Sequence, residues 1–194
     1  MRALVLTLLV GLLAACAATG PQRATETEIA ALGRALIAMS PAIDPEEAAR
    51  AARLSFATTA ELARAYGITD PPLVHNAKVN AGLRPRGLCY HWAEDLEARL
   101  NREGFATLEV TRAIANAENP ILIDHSTAVL VARGAPMETG VVIDPWRQGG
   151  RLFWSPVAQD SRYDWHPRED VMRRTGRIRY VQRTPGSLAP LPVD

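Results

Sequence analysis

The order of apolar patterns along the chain predicts an α+β protein, because helical patterns come first and strand patterns follow. Apolar residues recur at helical spacing in three segments before residue 101, and β-like runs follow from residue 106. The composition suits a folded chain: 47% of the 194 residues are hydrophobic, 22% are charged, and the formal net charge is +1. A charge this close to neutral gives no electrostatic reason to expect nucleic acid as a partner.

The first residues have the pattern of an export signal. A basic start at Arg2 precedes an apolar run of 11 residues, Ala3–Leu13, which is too short to span a bilayer as a helix. The run ends in Leu-Ala-Ala-Cys, and Cys16 in that position resembles the bacterial lipobox, in which the cysteine is acylated and becomes the first mature residue. We therefore expect a signal peptide over 1–15 and an acylated cysteine with a short tether over 16–24. A plain cleavage site is the alternative.

Acylation would anchor the protein in a lipid bilayer through Cys16. Ala17 follows the cysteine, and by resemblance to enterobacterial lipoproteins this favours the outer membrane, with the protein facing the periplasm. Because the chain has two cysteines, acylation of one leaves Cys89 without a disulfide partner in an oxidising compartment. An unpaired cysteine in an exported protein is a candidate reactive thiol.

Two helices are predicted near the start of the mature chain. Thr25–Met39 has apolar residues at helical spacing and acidic residues in its first turn. Asp44 is a good N-cap, the proline after it suits the first helical position, and the second helix is expected to run to about Tyr66. Residues 70–87 begin and end in proline-containing sequences, so a surface loop that includes His75 is predicted there.

The second half of the chain predicts one helix and then a sheet. Cys89–Leu100 is predicted to be a helix, because apolar residues four apart form one stripe. Strands are predicted at Ala106–Ala115, Ile121–Ala132, Val141–Asp144, Leu152–Trp154 and Arg177–Val181. Consecutive strands favour mostly antiparallel pairing. A single domain is expected over 25–184, with its core at about 70–184, and the proline-rich tail 185–194 is expected to be disordered.

Three residues in this region have the chemistry of a nucleophile, a base and an orienting acid. Cys89 begins a predicted helix, where unpaired backbone N–H groups and the helix dipole favour a thiolate. Gly87 allows a tight turn and leaves space for a substrate carbonyl. A thiolate needs a base that is itself oriented, and His125 and Asp144 are the candidates. With a four-residue loop at 133–136, His125 would face Asp144 across a hairpin, with Cβ atoms about 4.5–5.5 Å apart.

These residues resemble the transglutaminase-like core of the papain-like cysteine enzymes. The resemblance rests on three segments, Arg86–Cys89, His125–Val129 and Val142–Trp146, and it covers about a third of the chain. It implies a papain-like fold, with helices packed on a mostly antiparallel sheet. It also implies that the cysteine is the nucleophile, the histidine is the general base and acid, and the aspartate holds the imidazole. Neither a metal nor another cofactor is expected.

One feature of papain-like peptidases is missing. Those enzymes carry a glutamine several residues before the cysteine that completes the oxyanion hole, whereas Leu83 stands six residues before Cys89. Asn80 and Asn76 are the amide candidates for this role, and the backbone N–H of the cysteine is the other expected donor. Trp146 is expected to form a wall of the site.

Three functional interpretations follow from these residues. The leading one is a membrane-anchored thiol enzyme that cleaves or transfers an amide or ester acyl group through a thioester. Its substrate would be an envelope peptide or protein, with cell-wall peptides as one option. A second interpretation is a catalytically inactive lipoprotein that uses the fold as a binding or assembly module. A third is a zinc site in which His91 joins the triad residues, although residues two apart on a helix point to different faces.

Overall fold

A computed structural model describes residues 23–177. The predicted signal peptide, Cys16 and the tail at 185–194 lie outside the described residues, as does the predicted strand at Arg177–Val181 beyond its first residue. Within 23–177, no helix combines the length and the hydrophobicity that a membrane span requires.

The described part of the chain is an α+β structure. Its α-helices are α1 (Glu26–Ile37), α2 (Pro45–Ala65), α3 (Pro72–Asn80), α4 (Cys89–Asn101) and α5 (Arg168–Arg174). Its strands are β1 (Leu108–Ala115), β2 (His125–Ala132), β3 (Val141–Asp144), β4 (Phe153–Pro156) and β5 (His166–Pro167). The strands form one sheet in the order β4-β3-β2-β1-β5, and every pairing is antiparallel.

The first two helices begin where the sequence predicts, because each has a side-chain cap. The Thr25 hydroxyl accepts the backbone N–H of Glu28, whose carboxylate in turn accepts the N–H of Thr25 at 2.8 Å. One carboxylate oxygen of Asp44 accepts the N–H groups of Glu46 and Glu47 at 2.8 and 2.9 Å. These caps satisfy backbone donors that a helix start otherwise leaves unpaired.

Apolar side chains cover both faces of β2, so this strand lies at the centre of the molecule. One face packs against α1, α2 and α4 in the larger core, which includes Leu32, Leu36, Leu96, Leu100 and Leu130. The other face packs in a smaller cluster with Val142, Met137 and Trp165. All eight residues of β2 are buried, which explains the continuous apolar run over its last five positions, Ala128–Ala132. The strand therefore holds its first residue, His125, on a rigid support.

The predicted loop at 70–87 is wrong in its first half. Pro72 stands at the first position of α3, where its missing N–H costs nothing. His75 lies on this helix and is buried, and its Nε2 donates to the carbonyl oxygen of Arg86 at 3.0 Å. The helix therefore packs against the segment that leads into Cys89, where a surface loop was expected.

The second predicted strand is too long at its start. β2 begins at His125, and the apolar residues before it, Ile121, Leu122 and Ile123, are exposed. Ile121 has 89% of its surface open to solvent. This segment belongs to the connection between β1 and β2, where it forms part of the surface next to His125.

The pairing of β2 with β3 differs by two residues from the predicted hairpin. Val129 lies opposite Val142 where the prediction placed Gly140, because the connection is lengthened by a 3-10 turn at Met137–Thr139. A shift of two residues leaves every side chain on the face where it was expected. His125 and Asp144 are therefore diagonal neighbours on one face, within reach of each other's side chains.

Candidate active site

The Cys89 thiol lies at the N-terminus of a helix and faces the loop before β2. Cys89 is the first residue of α4, directly after the N-cap residue Leu88. Its side chain is 8% exposed, and Sγ lies 3.6 Å from the carbonyl oxygen of Asp124, to which the thiol can donate. The cysteine forms no disulfide within 23–177. The helix dipole at this position favours a negative charge on the sulfur.

The turn before Cys89 is held by buried side chains. Gly87 has φ of 126°, and a Cβ there would overlap Nε2 of His75. The Nδ1 of His91 accepts the N–H groups of Gly87 and Leu88 at 3.2 and 3.3 Å, and Trp92 Nε1 donates to the Gly87 carbonyl at 3.0 Å. Burial, followed by the charge of a neighbouring arginine, lowers the pKa of His91, which favours the neutral acceptor form. His91 therefore caps α4.

His125 and Asp144 form a buried pair. His125 Nε2 donates to Asp144 Oδ2 at 2.6 Å, and the two side chains are 2% and 1% exposed. Burial by itself lowers the pKa of His125, but the charge and hydrogen bond of Asp144 and the interaction with Cys89 together raise it to about 9. The three predicted catalytic residues thus share one neighbourhood. The other ring nitrogen, Nδ1, is buried and forms no hydrogen bond of good geometry within 23–177, so it remains open to the neighbouring Cys89 thiol.

Three aromatic rings enclose the imidazole. The ring centroid of His125 lies 4.6 Å from that of Trp146, 4.7 Å from that of Tyr163 and 5.3 Å from that of Trp165. Trp146, the residue predicted to form a wall of the site, is one of these three rings. Tyr163 has no sequence signal of its own, because it follows irregular chain after the last long strand. The rings limit access of water to the buried pair.

The two oxyanion candidates occupy different positions on α3. Asn76 is half-buried, and its Oδ1 accepts Trp146 Nε1 at 3.0 Å, so its amide is linked to the wall of the site. Asn80 is exposed at the last residue of the helix. The N–H of Cys89, as the first in α4, has no acceptor within its own helix. Asn76 is therefore the candidate that the structure connects to the site.

Arg147 and Asp160 extend the site and were not foreseen from the sequence. Arg147 Nε donates to Asp144 Oδ2 at 3.1 Å, and its guanidinium nitrogens donate to both Asp160 oxygens at 3.0 and 2.6 Å. Burial lowers the pKa of Arg147, but the bond to Asp160 and the nearby carboxylates raise it. Burial likewise raises the pKa of Asp160, and the bonds from Arg147 and Trp165 lower it. The spacing of Asp144 and Arg147, three residues apart in a turn, was the one local signal.

An apolar cleft opens beside His125. It has a volume of about 620 Å³ and lies between the start of α3 and the loop before β2. Its apolar lining comprises Pro71, Pro72, Leu73, Ile121, Leu122, Ile123, Trp146 and Tyr163. Arg162, which is exposed, also lines it. The cleft is large enough for several amino-acid side chains.

The zinc interpretation depends on His91, whose Nδ1 is turned to backbone N–H groups. No group of three or more histidine, cysteine, aspartate or glutamate side chains within 23–177 is arranged to hold a metal ion. Comparisons with protein-family models, with curated proteins and with solved structures found no match. The function is therefore argued from the chemistry of the site.

Proposed function

We propose that the protein is a thiol enzyme of the papain-like, transglutaminase-like kind, which cleaves or transfers an amide or ester acyl group. In this proposal Cys89 is the nucleophile, His125 is the general base and acid, and Asp144 holds the imidazole. The observation that carries it is the buried 2.6 Å hydrogen bond between His125 and Asp144, on a ring that also interacts with Cys89.

The reaction proceeds through a thioester. The Cys89 thiol transfers its proton to His125 Nδ1, and the sulfur forms a bond to the substrate carbonyl carbon. The carbonyl oxygen becomes an oxyanion, for which the Cys89 N–H and Asn76 are the candidate donors. The tetrahedral intermediate expels the amine or alcohol, which takes the proton from the imidazolium. Water then adds to the thioester with His125 as base, the sulfur leaves, and the acid product is released.

The environment of His125 supports both proton transfers. Because its pKa is raised to about 9, the imidazolium persists at neutral pH and can protonate a leaving amine. Asp144 is buried and accepts hydrogen bonds from His125 and Arg147, so its carboxylate remains the acceptor for the imidazole during both proton transfers. Because the ring is held by Asp144 and interacts with Cys89, His125 can accept the thiol proton without a further base.

The surroundings of the site suggest a peptide or protein substrate. The cleft beside His125 is mostly apolar, which suits an acyl group or peptide segment with aliphatic side chains. Hydrolysis is proposed over transfer, because nothing in the described part of the chain marks a site for an acceptor amine. Export through the signal at 1–15 and acylation at Cys16 would place this activity at the cell envelope, on an outer membrane facing the periplasm.

Alkylation of Cys89 tests the proposal without knowledge of the substrate. The full chain is treated with iodoacetamide from pH 4 to 10, and Cys89 is followed by peptide mass spectrometry in native and urea-unfolded protein. We expect the native labelling midpoint to lie at lower pH than the midpoint of the unfolded protein, because the helix N-terminus and His125 favour the thiolate. The midpoint is the readout, because restricted access lowers the maximum rate and leaves the midpoint unchanged.

Substitution of the base provides the matched comparison. His125→Ala should move the midpoint of Cys89 labelling up by at least one pH unit, while His166→Ala, at a half-exposed histidine on β5, should leave it unchanged. Equal midpoints in native and unfolded protein, with no effect of His125→Ala, would contradict the enzyme proposal. The exposed apolar loop at 121–123 would then favour the binding module.

A further inference from the structure

The carboxylate of Asp144 is shared between two side chains. Its Oδ2 accepts His125 Nε2 at 2.6 Å and Arg147 Nε at 3.1 Å, while Oδ1 accepts the backbone N–H of Arg147 at 3.2 Å. The bonds from Arg147 fix the rotation of the carboxylate, so that one oxygen points at the imidazole. A cation is thus bound directly to the acid of the proposed triad.

Arg147 is itself held from all sides. Its side chain is 8% exposed, and both terminal nitrogens bond to Asp160, which is 2% exposed and also accepts Trp165 Nε1 at 2.8 Å. The guanidinium lies 3.8 Å from the ring centroid of Phe153 and 4.7 Å from that of Tyr163. Buried charges persist only when they are paired, and this bidentate pair meets that condition.

The charges along this chain of contacts alternate. With His125 protonated, the order is imidazolium, Asp144, Arg147, Asp160, and the sum is zero. Asp160 cancels the charge of Arg147, which leaves the charge of Asp144 available to the imidazolium. Without Asp160, the arginine would oppose a proton on His125; without Arg147, two carboxylates would favour that proton.

Other charged or titratable groups near His125 do not replace this arrangement. Cys89 approaches from α4, and the Tyr163 ring packs against the imidazole. Asp124, the residue before His125, is paired with Arg177 at 2.6 Å on the surface. The path from Asp144 through Arg147 to Asp160 is therefore the buried ionic connection to the imidazole.

We propose that Arg147 and Asp160 are positioning residues that hold Asp144 toward His125 and set the protonation state of the imidazole. Neither residue touches the reacting atoms, and both act through Asp144. This inference rests on the proposed function for its catalytic meaning. The effect of the two residues on the protonation of His125 can be measured without any substrate.

Two substitutions with opposite expected effects test the inference. The full chain is labelled with ¹⁵N at histidine, and the protonation midpoint of His125 is followed by NMR. Asp160→Asn leaves the arginine charge uncancelled and should lower the midpoint by about one pH unit. Arg147→Gln removes the cation and should raise the midpoint by a similar amount. A merely structural role would not give shifts of opposite sign.

Control variants keep the test interpretable. Arg151 is an exposed arginine in the same region and pairs with Glu28 at 2.7 Å. Arg151→Gln should leave the protonation midpoint of His125 unchanged. Asp160→Glu and Arg147→Lys keep the charges and should bring the midpoint back toward the native value, and they serve if the neutral variants do not fold. Shifts of the same sign, or none, in folded variants overturn the inference. A failed alkylation test leaves this readout intact, so the two failures are distinguishable.

Discussion

Two features of the structure disfavour a side chain at Gly87: its positive φ and the close approach of His75. Its φ of 126° is costly for any residue with a Cβ, and that Cβ would overlap Nε2 of His75. The overlap cannot be relieved without moving His75, whose Nε2 bonds to the Arg86 carbonyl. The glycine therefore fixes both the start of α4 and the packing of α3 against it.

Gly87→Ala should lower the free energy of unfolding by about 2–4 kcal/mol. Backbone strain contributes about 1–3 kcal/mol, and loss of the hydrogen bond between His75 and the Arg86 carbonyl contributes about 1 kcal/mol. Urea denaturation measures this change. Gly134→Ala is the matched control, because its φ is 74° and nothing lies within 4 Å of an added Cβ, so only the backbone cost applies. Equal losses in the two variants would show that the contact with His75 contributes nothing.

The predicted residues of the site differ in how visible they are in the sequence. Cys89 stands at a helix start after a glycine, and His125 stands in a β-like run, so local patterns mark both. Asp144 ends the next strand. Arg147 and Asp160 could not be paired from the sequence, because they are 13 positions apart, with β4 and a 3-10 turn between them, and no periodicity relates the two positions.

At the scale of elements, Arg112 of β1 connects the helix of the thiol to the strand of the base. Its Nη2 donates to the Tyr90 carbonyl at 3.3 Å and to the Ser126 hydroxyl at 3.4 Å, the residues that follow Cys89 and His125. Burial lowers the pKa of Arg112, and the charge of Glu97, 3.9 Å away, opposes this effect. The guanidinium thus joins the first turn of α4 to the first residues of β2.

Arg112→Met should loosen this junction and leave Glu97 half-buried without its cation. We expect a loss of about 1–3 kcal/mol in the free energy of unfolding, with hydrogen exchange accelerated in residues 89–92 more than in 96–101. Arg99→Met is the control on the same helix, because its pair with Glu103 is more exposed and should contribute under about 1 kcal/mol. Uniform exchange along α4 in both variants would refute the junction.

The elements that the sequence failed to predict depend on tertiary contacts. The helix at Pro72–Asn80 has no side-chain cap and a weak apolar stripe, and its buried His75 and its Asn76 bond to distant parts of the chain. The hairpin register was wrong by two residues because a 3-10 turn is not visible as a pattern. The predicted proximity of His125 and Asp144 nevertheless survives that error, since strand side chains repeat every two residues.

For the whole molecule, acid should weaken the fold through carboxylates that are bonded in it. Burial would raise the pKa of Glu47, but bonds from Thr107 and Ala106 outweigh it and lower the pKa. The backbone N–H of Thr25 and the Arg151 side chain lower the pKa of Glu28 to about 2. A carboxylate whose pKa is lowered by folding stabilises the folded state at every pH above its ordinary pKa. That stabilisation is lost as the pH falls through the pKa of the carboxylate in the folded state.

The pKa of His125 is shifted in the opposite direction, so the fold should lose stability at alkaline pH as His125 loses its proton. Its pKa of about 9 lies above the ordinary 6.5, so its stabilisation is complete below pH 6.5 and disappears as the pH rises through 9. The size of this effect is at most about 3.5 kcal/mol, from about 1.4 kcal/mol per pKa unit. Maximum stability is therefore expected near pH 5–6.5.

Urea unfolding at fixed ionic strength from pH 3 to 9.5 measures the free energy of unfolding as a function of pH, and His125→Gln should flatten its decline between pH 6.5 and 9. A stability that rises over that interval would mean that the buried imidazole is held neutral, and the ion pair with Asp144 would then be wrong.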